Sequence, residues 1–165
     1  MDIYDLTVPQ LKRKLRNLDR WLGLAAAHPS ADKLLTARLA PDQYNLTRQV
    51  QVAADNAKMM PGRLAGKQWP SHPDTETTYD QLRARLAAVV EFLDTFTRED
   101  FVGAEDRKIK LPWMKDGQYL TALDYLNQFG LPNFYFHVVT AYEILRHEGL
   151  PMGKFEFLGQ ISIQG

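Results

Sequence analysis

The sequence predicts an all-α protein, an up-and-down four-helix bundle with a small β-hairpin before the last helix. Three segments carry apolar residues at the three- and four-residue spacing of an amphipathic helix, and a fourth, near the carboxyl end, is apolar almost all round. Around residues 107–121 the period changes, because residues 108–111 alternate like a strand. A chain of 165 residues is long enough for one hydrophobic core and too short for two ordinary domains, so we expect a single domain over residues 1–165.

The first helix is indicated by an apolar stripe along one side of the chain. We expect it to begin at a capping box, Thr7 to Gln10, and to close at His28, Pro29 and Ser30. The stripe consists of Leu11, Leu15, Leu18, Leu22 and Ala25. We interpret the opposite side as a solvated face. That side carries Lys12, Arg13, Arg16, Asn17 and Arg20.

A second helix should open after Pro41 and Asp42, preceded by a connection with a short helical piece. We expect it to reach about Met60, where Pro61 and Gly62 should end or kink it, because proline lacks the N–H that the next helical turn needs. Its inward residues are Leu46, Val50, Ala53 and Ala57.

The third helix follows a loop rich in proline and polar residues, Gly66 to Thr75, which contains His72. Thr77 and Asp80, three residues apart, form a second capping signal, so the helix should begin there. Its apolar stripe consists of Leu82, Leu86, Val89, Leu93 and Phe96.

The hairpin is indicated by alternation over residues 108–111, a tight-turn pair at residues 116–117 and a return strand that begins at Tyr119. A cap formed by Thr121 and Asp124 should then start the last helical region. We expect Gly130 and Pro132 to interrupt this region, Gly149 and Pro151 to end it, and the closing residues to lie over the bundle surface as a tail without a helix.

Composition excludes several classes of protein. Basic and acidic residues number 20 each, so no general attraction to nucleic acid or anionic lipid is expected. The absence of cysteine removes disulfides, thiolate nucleophiles and cysteine-type zinc sites. With neither a targeting pattern nor an apolar run long enough to span a membrane, the sequence indicates a cytoplasmic protein. No glycine-rich phosphate loop, G-x-S-x-G or H-E-x-x-H motif is present.

The last helix carries the candidate site. Asn133 and His137 share a helical face that should point into the bundle, and Gln49 lies on the apolar stripe of the second helix. A buried amide needs a partner, because leaving it unpaired costs roughly 1 to 3 kcal/mol. We therefore predict a polar cluster of these three residues, with Asp55 as a further member that could fix the imidazole tautomer. His147, in the final turn, we assign to the helix end.

Three uses of this cluster stay open: a structural network inside the bundle, a pocket for a small molecule, or a metal centre. A zinc or nickel site commonly needs three protein ligands, and His28 and His72 fall in loops that nothing brings to this face. His137 is the one candidate metal ligand, because the amides of Gln49 and Asn133 bind metals poorly.

Four segments together resemble an uncharacterised bacterial family within the DinB/YfiT-like superfamily of four-helix bundles. They are YDLTVPQ, LTRQVQVAADNAK, EDRKIKLP and LPNFYFHVVTAYEILRHEGLPMGKFEFLG, and the resemblance covers nearly the whole chain. It implies a helical bundle, often dimeric, that in many relatives holds a metal on three histidines. Some of these relatives are thiol-dependent transferases or isomerases, or metal-dependent hydrolases.

The chain departs from that superfamily at the metal ligands. Two superfamily histidines stand four apart on the last helix, and a third comes from the second helix. His137 matches the later of the pair, Asn133 stands in place of the earlier one, and Gln49 is the best match on the second helix. Replacing two imidazoles by neutral amides lowers metal affinity by orders of magnitude.

These features lead to two main hypotheses for function. The first is a protein that binds a small molecule or a partner through a degenerate metal-site pocket at Gln49, Asp55, Asn133 and His137. The second is a metal- or thiol-dependent transferase or hydrolase in which His137 is a ligand of zinc or nickel or a general base. A purely structural dimer is a third possibility. The nearly all-round apolar last helix favours a homodimer under each of them.

Overall fold

The computed structural model describes residues 2–164 and is mostly helical. In chain order the helices are α1 (Ile3–Ala26), α2 (Ala31–Leu34), α3 (Leu46–Ala65), α4 (Tyr79–Leu93), α5 (Ala122–Asp124), α6 (Leu131–His147) and α7 (Lys154–Leu158), and the strands are β1 (Lys108–Ile109) and β2 (Leu120–Thr121). The long helices α1, α3, α4 and α6 form the bundle. Helix α3 packs against α6 and α4, and α1 packs against α4, α3 and α6. The predicted all-α four-helix bundle is confirmed.

Helix α1 begins four residues earlier than predicted. Asp2 is its N-cap and accepts a hydrogen bond from the backbone N–H of Asp5 at 2.9 Å. The predicted capping box at Thr7 is wrong, because the threonine hydroxyl instead donates to the carbonyl oxygen of Ile3, at 2.6 Å, inside the helix. Pro9 is tolerated within the helix.

Helix α3 starts at Leu46, because the side chain of Asn45 caps it by accepting from the N–H of Arg48 at 3.0 Å. It does not end at Met60 but continues through Pro61 to Ala65. Termination comes from Gly66, whose φ of 69° is the left-handed conformation that glycine adopts without steric cost. The predicted loop follows.

Helix α4 is capped by Thr78 and Gln81 rather than by the predicted pair Thr77 and Asp80. The Gln81 side chain accepts from two successive backbone N–H groups, those of Thr77 and Thr78. The helix ends at Leu93, and Phe96 still enters the core although it lies beyond that end.

The predicted hairpin is present, with β1 and β2 antiparallel and Ile109 opposite Leu120. The cap at Thr121 is also present and starts α5. The predicted interruption at Gly130 and Pro132 is wrong, since α5 passes through a π-helical stretch, Tyr125–Gly130, directly into α6. Pro132 lies in the first turn of α6, where no N–H partner is required.

Helix α6 ends at His147, and Gly149, two residues beyond that end, has a φ of 95°. The closing segment was predicted to lack a helix but contains α7, which lies against α1. Its Phe157 ring stacks on Trp21 with centroids 5.8 Å apart. Within residues 2–164, no helix combines the length and apolar character needed to cross a membrane.

Candidate functional site

The centre of the candidate site is a hydrogen bond between α6 and α3. His137 is 7% exposed, Gln49 is fully buried, and Nδ1 of the imidazole lies 2.7 Å from Oε1 of the amide. The Nε2 of Gln49 donates to the carbonyl oxygen of Tyr44 at 3.1 Å, which orients the amide. An amide oxygen only accepts, so Nδ1 of His137 carries the proton and Nε2 carries a lone pair. The predicted contact between His137 and Gln49 is present.

The imidazole is held in its neutral form. Burial lowers the pKa of His137 to about 4, and the positive charge of Arg48 acts in the same direction. Tyr44 stacks against the ring with centroids 6.4 Å apart, and Phe136 meets it edge-on at 5.2 Å. Arg48 itself pairs with Asp74 and with the Gln51 amide. A neutral, oriented imidazole with one unprotonated nitrogen is therefore available near neutral pH.

Asn133 lies on the same seam but belongs to a different pair. Its Nδ2 donates to Oδ1 of Asn56 at 2.8 Å, not to Gln49 or His137. Asn56 was missed by the sequence analysis, although it follows Gln49 by seven residues and so shares its helical face. The two pairs form successive polar rungs between the antiparallel helices α3 and α6.

Asp55 does not reach the imidazole. Six residues of helix separate it from Gln49, which turns its side chain roughly 120° away at about 100° per residue. Its Oδ1 instead accepts from Arg85 Nη2 and from Lys58 Nζ, each at 2.8 Å. The tautomer of His137 is set by Gln49, and the role predicted for Asp55 in setting it is corrected accordingly.

Asp55 belongs to a charge cluster between α3, α4 and the segment that joins them. Lys58, 2% exposed, donates to Nδ1 of His72 at 2.9 Å, because an ammonium group has no acceptor. Burial, reinforced by the Lys58 charge, lowers the pKa of His72. Arg85, 4% exposed, also pairs with Glu76 at 3.0 Å. The cluster fixes this segment against the bundle.

Comparison with known proteins identifies the family. The model of a domain of unknown function, DUF1993, matches residues 3–158. The chain belongs to the DUF1993 family. It is also similar to a crystal structure of a DinB family member protein from Shewanella denitrificans, with 42% sequence identity and a TM-score of 0.94, over 99% of this chain and 95% of that chain. No curated protein matches significantly.

The donors in this DUF1993 chain do not fit the three-histidine metal pattern of the superfamily. The Gln49 oxygen already accepts from His137, and the Asn133 amide donates to Asn56. Among the described residues, no three histidine, cysteine or acidic side chains come together as a metal-binding group. His28 is engaged elsewhere, since its Nδ1 accepts from the N–H of Ser30. What the site does offer is a single imidazole nitrogen.

Proposed function

We propose that this DUF1993 protein binds a small molecule at a degenerate metal site, with Nε2 of His137 as the recognition atom. The supporting observation is the relay from the Tyr44 carbonyl through Gln49 to His137, which fixes the ring and its tautomer. In the part of the chain that the structure describes, Nε2 has no hydrogen-bond partner. A lone pair held in this way accepts a hydrogen bond from a hydroxyl, thiol or N–H group.

A thermal-shift screen with thiols, hydroxylated metabolites and divalent metals tests the proposal. A ligand should raise the melting temperature of the wild type but not that of His137→Ala. The matched control is His147→Ala, which removes an exposed histidine from the end of the same helix and should respond like the wild type. Equal shifts in all three proteins would disprove recognition by His137 and would leave a structural role for the pair.

The proposal also assigns no resident metal to the site, on the basis of its donor set. Metal analysis of protein purified without a histidine tag should therefore give only trace zinc or nickel. Near-stoichiometric metal that disappears in His137→Ala would overturn this assignment and favour the metal-dependent enzyme.

A second candidate function is proton transfer, in a transferase or hydrolase that uses His137 as a general base. It is favoured by the tautomer that Gln49 fixes, which leaves Nε2 with a free lone pair, while the pKa of about 4 makes the imidazole a weak base. Thiol-transfer and ester-hydrolysis assays should then lose activity in His137→Ala, with an acid limb of the pH profile near that pKa. Activity retained in the variant would rule out this role.

We also propose that the protein forms a homodimer through the outer face of α6. Phe136 and Val139, three residues apart on that face, are 54% and 40% exposed. Covering such side chains removes apolar surface from water. Light scattering should give a dimer for the wild type and a monomer for Phe136→Asp. Val102→Asp, which alters a side chain 79% exposed in a loop, is the control and should stay dimeric. A monomeric wild type would disprove the proposal.

A further inference from the structure

The arginines of α1 line a groove that the candidate site does not use. Arg13, Arg16 and Arg20 stand at positions i, i+3 and i+7, so they form one stripe along the helix. The stripe borders a groove of about 350 Å³ between α1 and the closing segment of the chain. The groove is lined by Arg13, Arg16, Asn17, Arg20, Gln160 and Ser162. None of these side chains is acidic.

The three arginines contact only uncharged groups, so their positive charges have no ion-pair partner in the described part of the chain. Arg13 donates through Nε and Nη2 to the carbonyl oxygen of Leu158, and Arg20 donates to the Asn17 side chain. Arg16 makes no hydrogen bond or ion pair with any residue in the described range. No carboxylate among residues 2–164 pairs with any of the three arginines.

Two acidic residues, Asp19 and Glu91, line an adjoining groove together with Arg16, and neither forms an ion pair with it among the described residues. Asp94 pairs with Lys12, and Asp19 pairs with Arg83 through two hydrogen bonds. Like charges three and four residues apart repel one another and destabilise a helix. A stripe of three guanidinium groups beside a concave surface is therefore more than the solvated face predicted from the sequence. It has the charge and the shape to receive an anion.

The chemistry of the lining favours phosphate. Guanidinium groups present planar pairs of N–H donors that match the oxygens of a phosphate group, and a dianion can engage more than one of them. Gln160 and Ser162 add neutral donors on the opposite wall. The formal net charge of zero argues against a nucleic-acid backbone, which requires an extended basic surface. A concave groove of this volume fits a small ligand better than a polymer.

We propose that the three-arginine groove binds the phosphate group of a phosphorylated small molecule. The site is separate from His137, and it depends neither on the proposed function nor on a metal. Arg16 is its central recognition residue, because its guanidinium has no competing partner in the structure as described. Arg13 already bonds to the closing segment and thereby also holds the wall of the groove in position.

Calorimetry at low ionic strength tests the proposal with phenyl phosphate as the probe. Arg16→Gln and Arg20→Gln should each weaken binding about tenfold, the loss expected for a charge-assisted hydrogen bond. Arg38→Gln is the control, because Arg38 is an exposed arginine outside the groove, and it contacts the backbone carbonyl of Pro41. The control should bind like the wild type. Circular dichroism of each variant verifies that the fold is retained.

Two further probes distinguish the source of the phosphate. Binding to phenyl phosphate but not to phosphatidylglycerol vesicles identifies a free phosphorylated molecule, and Arg16-dependent binding to both identifies a lipid headgroup. The proposal is overturned if phenyl phosphate does not bind saturably, or if Arg16→Gln and Arg38→Gln weaken binding equally. Binding to a single-stranded oligonucleotide alone would also overturn it, since that result assigns the stripe to a nucleic acid.

Discussion

Replacing Gln49 by methionine keeps the volume of a fully buried side chain and removes both of its hydrogen bonds. The Nδ1–H of His137 would then be buried without a partner, which costs about 1 to 3 kcal/mol. Losing the hydrogen bond to the Tyr44 carbonyl adds less to this cost, because Tyr44 is 52% exposed and water can replace the amide. We expect the free energy of unfolding to fall by about 2 kcal/mol. With a urea dependence of about 2 kcal/mol per molar, the unfolding midpoint falls by about 1 M.

A double-mutant cycle followed by urea unfolding measures the interaction itself. His137→Phe alone leaves the Gln49 oxygen buried without a donor, whereas combining it with Gln49→Met removes both partners. The double variant should therefore lose about 1 to 2 kcal/mol less stability than the two single variants lose together. Gln10→Met is the control, because Gln10 is exposed and water can replace its hydrogen bond from the Tyr135 hydroxyl, so stability should change by less than about 0.5 kcal/mol. Strict additivity, or a Gln49 variant as stable as the control, would refute the relay.

Two other predictions concern pH and packing. The pKa of His137 is about 4 in the folded protein and about 6.5 in the unfolded chain, so the unfolded chain binds the proton first as the pH falls. Between pH 6.5 and pH 4 the free energy of unfolding of the wild type should therefore fall by about 3 kcal/mol relative to that of His137→Gln. Equal declines in the two proteins would contradict this. Gly62→Ala should cost about 1 to 2 kcal/mol, because its Cβ would lie 2.6 Å from the Trp69 ring. Gly23→Ala, where the nearest atom is 3.9 Å away, should instead stabilise α1 by up to about 1 kcal/mol in thermal unfolding.

The bundle could be predicted from periodicity because the apolar stripes extend over many residues. The helix ends could not, since each depends on one side chain that competes with similar neighbours, such as Asp2, Asn45 or Thr78. The sequence also does not indicate the π-helical stretch before α6. Gly130 lies in that stretch, which has a wider turn than an α-helix, and Pro132 lies in the first turn of α6.

One contact of the candidate site could be predicted because it depends only on which face of its helix each residue occupies. Gln49 and His137 each lie on the inner face of a long helix, and the structure joins them. The partner of Asn133 depends on how far α3 and α6 are displaced along each other, which a single sequence does not reveal. The burial of Lys58 was equally hidden, because it depends on a connecting segment that folds back over α3.

The segment between α3 and α4 has no regular secondary structure, yet basic side chains of both helices bind it. Lys58 of α3 donates to His72, and Arg85 of α4 donates to the carbonyl oxygen of Pro73 at 3.2 Å. We expect such a connection to resist proteolytic cleavage and to tolerate inserted residues less well than an ordinary surface loop does. An epitope or fluorophore sequence is better introduced at the hairpin turn, where Asp116 is fully exposed and Gly117 has open space around it.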